Sequence, residues 1–310
     1  MSKTKLTTIL HSINCTDYTW ALYFFKIDKR TKEGYFAYKV RFRKDEQLLQ
    51  YAERLVSCVN QYQIEPINDV QEYNGENPKV SCDKINLANP LIAEQWQMFY
   101  NSISAASDQK INGKINGYVL DGHAKNAKES VSFIKVANPI TSLKSNKSIT
   151  FIPTVEDKLD LMTDDLCRLY LTADCMIIRD SLYAFNNKFE DLFNLEKTMA
   201  KLKMNIIEKI MCVEIFSDCE AFTTLAKQYK SSRTFLTFNK ERFERIKKQD
   251  NRKRIADMLE IQLDKDGNLD VKTPEEASLV IRYLCYKIFQ ENETNDVLEA
   301  SIIAKLKHTS

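Results

Sequence analysis

The chain has 310 residues, of which 44% are hydrophobic and 28% charged, with only six glycines and six prolines. This composition can bury a sizeable core in one large or two smaller domains, and it excludes collagen-like or extensively disordered chains. The net charge is +2, no run of about 18 apolar residues exists to span a bilayer, and the basic start Met1-Ser-Lys-Thr-Lys lacks a signal-peptide core, so a cytoplasmic protein is expected.

In chain order, residues 18–27 are aromatic and aliphatic and read as a strand. A polar connection ending at Gly34 leads to residues 35–43, which alternate. Phe36, Tyr38, Val40 and Phe42 fall on one side; Tyr35, Lys39, Arg41 and Arg43 fall on the other, a predicted solvent face. Residues 45–60 carry a helical stripe of Leu48, Leu49, Ala52, Leu55, Val56 and Val59. Residues 66–89 give no clear pattern. A helix is predicted over 90–106, and short strands over 117–120, 130–137 and 148–153. From Ala173 a strand, a tight turn at Arg179-Asp180-Ser181 and a second strand lead into a long helix over 188–211, opened by Phe189, Leu192 and Phe193. Ser217-Asp-Cys-Glu220 reads as a capping box, and Asn239 as the cap of a basic helix. Residues 257–271 read as a strand pair around Asp264-Lys-Asp-Gly-Asn268. Thr273-Pro-Glu-Glu276 is a second capping box, for a helix ending near residue 290. Residues 296–306 fit helix or strand. The expected class is α+β: mixed, mainly antiparallel sheets with packed helices, an N-terminal α/β half (1–150) and a C-terminal half (151–310), with a soft boundary at 144–158.

Eight cysteines (15, 58, 82, 167, 175, 212, 219, 285) include no Cys-x-x-Cys pair, and they read as small buried residues in a reducing compartment. No metal or cofactor is expected. Asp264, Asp266, Asn268, Asp270 and Glu275 imitate a calcium loop, but its sixth position is Leu269 rather than glycine, and Asp-Gly favours a turn. Glu156-Asp-Lys158, with Asp121 upstream, gives the Glu-x-Lys half of a metal-dependent nuclease core, a pattern that chance also supplies, and the following Asp164-Asp165 reads as capping or solvating a helix. His123 reads as a loop histidine. No Gly-x-Ser-x-Gly, Gly-x-Gly-x-x-Gly or Walker loop is present, and the reading leans away from an enzyme.

The small net charge hides segregation. Residues 26–44 hold eight basic residues against two acidic ones, and residues 239–254 hold eight against three, which leaves −9 for the rest. Lys39, Arg41 and Arg43 from the first block, and Lys240, Arg242, Arg245, Lys247, Lys248, Arg252, Lys253 and Arg254 from the second, are the candidate phosphate-binding residues. The alternative is an ordinary solvated surface.

The hairpin with Asn-x-Lys-Phe-Glu-x-x-Phe ending at Phe193, the basic helix leading to Leu259-Glu-Ile-Gln-Leu-Asp-Lys-Asp-Gly-Asn-Leu, and Tyr283-Leu-x-x-Lys-Ile-Phe with Glu293-Thr-x-Asp and Ala304-Lys-Leu together resemble the KwaB-like family of the Kiwa anti-phage defence system. The resemblance covers about residues 160–306. Val297-Leu-Glu-Ala stands where that family suggests a tyrosine-bearing segment. What the resemblance implies is a bacterial defence effector that binds phage DNA and works with a small KwaA-like transmembrane partner, which would recruit it to the inner membrane. It names no DNA-contacting residues and leaves a homodimer open. Two other readings remain: a metal-dependent nuclease using Glu156 and Lys158, and an interaction protein that docks its basic face on a membrane partner or acidic lipid.

Overall fold

The computed structural model describes residues 2–75, 81–108, 114–126, 129–141, 151–153, 159–161, 166–211, 213–290 and 297–299. Helix α1 (Lys3–His11), which has no counterpart among the expected elements, is capped by Ser2 and buries Leu6 and Leu10. Strands β1 (Tyr18–Ile27) and β2 (Tyr35–Val40) follow, then helix α2 (Asp45–Val59), which runs into a π-helical turn at Asn60–Ile64. Strands β3 (Asp69–Glu72) and β4 (Ser81–Asn86) fill the stretch without a clear pattern, before helix α3 (Ala93–Ser104). Next come β5 (Gly117–Ala124), β6 (Ser130–Lys135), β7 (Ile140–Thr141), β8 (Phe151–Pro153), β9 (Leu159–Leu161) and β10 (Leu166–Cys167). The expected hairpin is β11 (Cys175–Ile178) and β12 (Ser181–Ala184). Helices α4 (Lys188–Leu192), α5 (Leu195–Met211), α6 (Cys219–Gln228), α7 (Lys240–Lys247), α8 (Gln249–Leu259) and α9 (Pro274–Leu284) precede β13 (Ile288–Gln290) and β14 (Val297–Glu299).

The class is α+β. An eight-stranded sheet runs β2-β1-β5-β6-β11-β12-β4-β3, and its pairings are antiparallel except β3 with β4. The chain divides into two units: residues 1–73 with 77–194, and 74–76 with 195–310. The boundary expected near residue 150 falls inside the first.

In the first unit both sheet faces carry apolar residues, so each needs a cover. Trp20, Leu22 and Phe24 of β1, with Tyr118, Leu120, Phe133, Met176 and Tyr183, join a core with Leu6 and Leu10 of α1 and Ala52, Leu55, Val56 and Val59 of α2. On the opposite face, Phe25 and Tyr35 meet Phe99 of α3 edge-on, with ring centroids 5.2 and 5.3 Å apart. The Tyr35 hydroxyl donates to the Leu192 carbonyl at 2.6 Å. Phe189 is fully buried and meets Tyr73 edge-on at 5.2 Å.

The second unit gathers apolar residues of α5 to α9 around Ile207, Phe222, Ile246, Leu269, Val280 and Leu284. The Asp264–Asn268 turn forms as expected. The Asp264 carboxylate accepts the N–H groups of Asp266 and Asn268, both at 2.8 Å, which holds its pKa below the usual value, and Gly267 supplies a φ of 78°.

Several expected elements differ. The long helix over 188–211 is two helices, because Asn194 adopts a left-handed conformation (φ 50°) and Phe193 packs towards Trp96 and Phe99. The capping residue before α6 is Asp218, which accepts the Ala221 N–H, while Ser217 donates to Asp270. The strand pair over 257–271 shrinks to one bridge, Leu263 with Leu269, because α8 continues to Leu259 and ends at left-handed Glu260. The Thr273 capping box and Pro274 open α9 as expected, but the helix stops at Leu284 and the chain re-enters a strand at Ile288. Of residues 296–306, Val297–Glu299 is a strand, and the others lie outside the described residues.

Replacing Phe189 with Ala should cost about 3–5 kcal/mol in urea unfolding, the range for losing a core aromatic. An unchanged midpoint would show that the site collapses without loss. A second test concerns pH. Burial pushes the Cys15 thiol up to about 11, the Cys285 thiol up to about 12 and the Tyr118 phenol up to about 12. A raised folded-state pKa keeps its stabilising effect below the unfolded value and loses it as pH rises through the folded one. The unfolding midpoint should therefore hold up to about pH 9 and fall between there and about pH 12. A flat profile across that window would refute the assignment.

Candidate nucleic-acid interface

The basic residues of the first block sit at the open end of β2. Pairing with β1 sets Lys39 opposite Tyr23, and Tyr23 also faces Val119 of β5. Antiparallel partners share a face, so Lys39 and Tyr23 lie on the α3 side of the sheet. The alternation holds within β2, which ends at Val40, short of Arg41 and Arg43, and the face it defines is not uniformly solvated. Tyr35 is 3% exposed beneath α3, whereas Lys39, Arg41 and Arg43 are exposed. Tyr35 thus leaves the expected solvent group, because Phe99 covers its end of the strand. After α3 the chain returns along the edge of β2, where Ser107 accepts the Lys39 N–H at 2.9 Å. That return places Asp108 beside Arg41, and the two side chains form an ion pair. The pair is exposed on both sides, so it contributes little to stability, but it offsets one of the three cations.

The same open face holds polar groups that the sequence left unconnected. His123 stands opposite Thr19, and Asp121 opposite Ala21. The Asp121 carboxylate accepts from the Ser132 hydroxyl at 2.6 Å and lies 2.8 Å from His123 Nε2. Here the carboxylate bridges serine and histidine, so the histidine is not placed to deprotonate the serine. Register alone brings these residues together.

The second block is less uniform than its composition. It forms two helices, because Lys248 is extended (φ −81°, ψ 125°) between α7 and α8. Asn239 caps α7 by accepting the Arg242 N–H at 2.8 Å. Phe243 and Ile246 face inward as expected. Two arginines expected to project outward do not. Arg252 is 6% exposed, and its guanidinium donates to the carbonyls of Ile246, Lys247 and Gly267 and to Asn268 Oδ1, at 2.5–3.1 Å. The α7 carbonyls are those a broken helix leaves without partners, and the Gly267 and Asn268 contacts tie the Asp264–Asn268 turn to α8. Arg242 is half-buried. It donates to the Tyr283 and Ile288 carbonyls, both at 2.6 Å, and stacks over the rings of Tyr283 and Tyr286 at 4.9 and 4.1 Å. Burial lowers its pKa from the usual arginine value. Both side chains are therefore structural.

Lys247 is half-exposed, bound to Glu244 at 2.6 Å and 4.4 Å over the Phe243 ring. Lys240, Arg245, Lys248, Lys253 and Arg254 are exposed. Among the expected cations of this block, these five are left for a polyanion, interleaved with exposed Glu241, Glu244 and Asp250. The two basic blocks belong to different units.

Among the described residues, no group of three or more His, Cys, Asp or Glu side chains is arranged to hold a metal ion. Glu156, Lys158, Asp164 and Asp165 lie outside the described residues. Among the described residues, no helix is long and apolar enough to cross a membrane.

A family model described as Kiwa protein KwaB-like matches residues 114–288. The matched stretch begins earlier than the resemblance at 160–306, and it takes in β5, β6 and the β11–β12 hairpin along with α4 to α9. The α7–α8 cations lie inside it; Lys39, Arg41 and Arg43 lie outside. No curated protein and no solved structure matches the chain.

The division of the second block predicts a contrast in stability. Arg252→Ala should lower unfolding stability by at least about 2 kcal/mol, because it strands buried carbonyls that a charged donor satisfied. Lys253→Ala should stay within about 0.5 kcal/mol. Equal effects in chemical denaturation would contradict the burial difference.

Proposed function

The chain belongs to the Kiwa protein KwaB-like family, which ties it to anti-phage defence, and on that premise we propose that it binds phage DNA electrostatically. The observation that carries this reading is the cluster of exposed Lys240, Arg245, Lys248, Lys253 and Arg254 on α7 and α8, inside the family-matched stretch. Such side chains neutralise backbone phosphates and release condensed counterions without reading base edges. Lys39 and Arg43 add a second set of phosphate contacts. Arg41 contributes only if the polyanion displaces Asp108. Arg242 and Arg252 take no part, because their donors are committed to carbonyls and, for Arg252, the Asn268 side chain. The protein acts at the inner membrane through a small KwaA-like transmembrane partner, and its role there is binding rather than catalysis.

Electrophoretic mobility shifts with random duplex DNA across a salt series test the reading. Log affinity should fall linearly with log salt, by about 0.9 per phosphate contact. Arg245→Glu with Lys248→Glu, and separately Lys39→Glu with Arg43→Glu, should weaken binding and flatten the slope by about one to two units each. If both pairs of variants fold normally yet bind like the parent at every salt concentration, the DNA reading of these surfaces fails.

A further inference from the structure

In the second unit a cavity of about 350 Å³ opens between α5, the 3₁₀ turn Ser232–Thr237 and the start of α7. Its floor is Leu202 and Ile206 of α5, Phe235 of the turn and Phe243 of α7. Ile206, Phe235 and Phe243 belong to the buried core of the unit, with Leu202 packed against it, so the cavity is an indentation of that core. None of these four side chains carries a hydrogen-bonding atom. The floor therefore rewards hydrocarbon and penalises polar atoms, which would lose their water without gaining a side-chain partner.

The rim is of opposite character. Lys209, in the last turn of α5, and Lys240, the first residue of α7, both line the cavity and are exposed. Among the described residues neither ammonium group is held in an ion pair or a hydrogen bond. Glu244 is the one acidic residue that lines the cavity, and Lys247 binds it at 2.6 Å. The rim thus keeps an excess of positive charge over an apolar floor. Lys240 also stands at the positive end of the α7 dipole, where an anion is favoured and a cation is not. An anion bound there would offset that placement.

Small-molecule sites combine an apolar lining with a few placed charges, and this volume lies at the low end of their range of about 300–1,000 Å³. It suits a single short chain rather than a two-chain lipid.

We propose that this cavity binds a medium-chain fatty acid. Its carboxylate would pair with Lys209 and Lys240, and its alkyl chain would lie on Leu202, Ile206, Phe235 and Phe243. A nucleotide offers the same sign of charge, but its base would bring hydrogen-bonding edges to a floor without partners for them. Lys240 belongs as well to the exposed cluster on α7 and α8, so the test is made without DNA and its outcome does not depend on DNA binding.

Calorimetric titration of the full chain with hexanoate, octanoate and decanoate, each below its micelle-forming concentration, tests the proposal. Acetate supplies the head alone, 1-octanol the chain alone, and thymidine monophosphate the nucleotide alternative. The expected result is saturable binding at one site, tightening about four-fold with each added methylene, with all three controls weaker than octanoate. Lys209→Gln combined with Lys240→Gln should weaken octanoate binding at least ten-fold while leaving the ligand-free melting temperature in place, since both side chains are exposed. Leu202→Trp, which fills the cavity from a partly buried position, should abolish binding in a protein that still melts cooperatively. Absence of saturable binding overturns the proposal. So does an affinity independent of chain length, or one unchanged in the double lysine variant. Thymidine monophosphate binding as tightly as octanoate also overturns it, and assigns the cavity to DNA instead.

Discussion

A sheet with apolar side chains on both faces must be covered twice, and that requirement organises the first unit. Helices α1 and α2 cover one face through Leu6, Leu10, Leu55 and Val59. On the other, Phe99 of α3 seals Phe25 and Tyr35. Further along the same strands Lys39, Thr19 and His123 are exposed. One strand therefore begins in a core and ends as a polar surface. The return of the chain after α3, which pairs Ser107 with β2 and Asp108 with Arg41, protects part of the sheet edge.

The second unit illustrates how a basic sequence block divides by function. A guanidinium can be buried when its donors meet acceptors, and a broken helix supplies them. Arg252 fills the carbonyls at the α7–α8 break and reaches the Asp264–Asn268 turn. Arg242 performs a similar task beside Tyr283 and Tyr286. Planarity and multiple donors suit arginine to these positions, where lysine would leave acceptors unmet. Of the lysines of the block, by contrast, Lys240, Lys248 and Lys253 are exposed and only Lys247 is partly covered. Counting charges along the sequence overstates the positive surface by the two residues that hold the unit together.

The family match joins the sheet strands β5, β6, β11 and β12 to the helical second unit. The hairpin and its following phenylalanines are thus part of a shared scaffold, and their complete burial accounts for their regular pattern. Strand β2, with the first basic block, lies outside that stretch.

The sequence by itself determined the α+β class, the strands at residues 18–27 and 175–184, the α2 stripe, the Asn239 and Thr273 caps and the Asp264 turn. Each rests on local chemistry: alternation, helical spacing, a capping side chain or a glycine. It also located both basic blocks. Only the tertiary structure decided which of their side chains remain exposed. Arg252 and Arg254 look alike in sequence, yet one points at orphaned carbonyls and the other at solvent. Tyr35 and Lys39 share a face, yet α3 reaches only one of them. The break at Asn194 and the Asp121–His123–Ser132 cluster were likewise illegible, because they depend on strand register and on packing between segments distant in the chain.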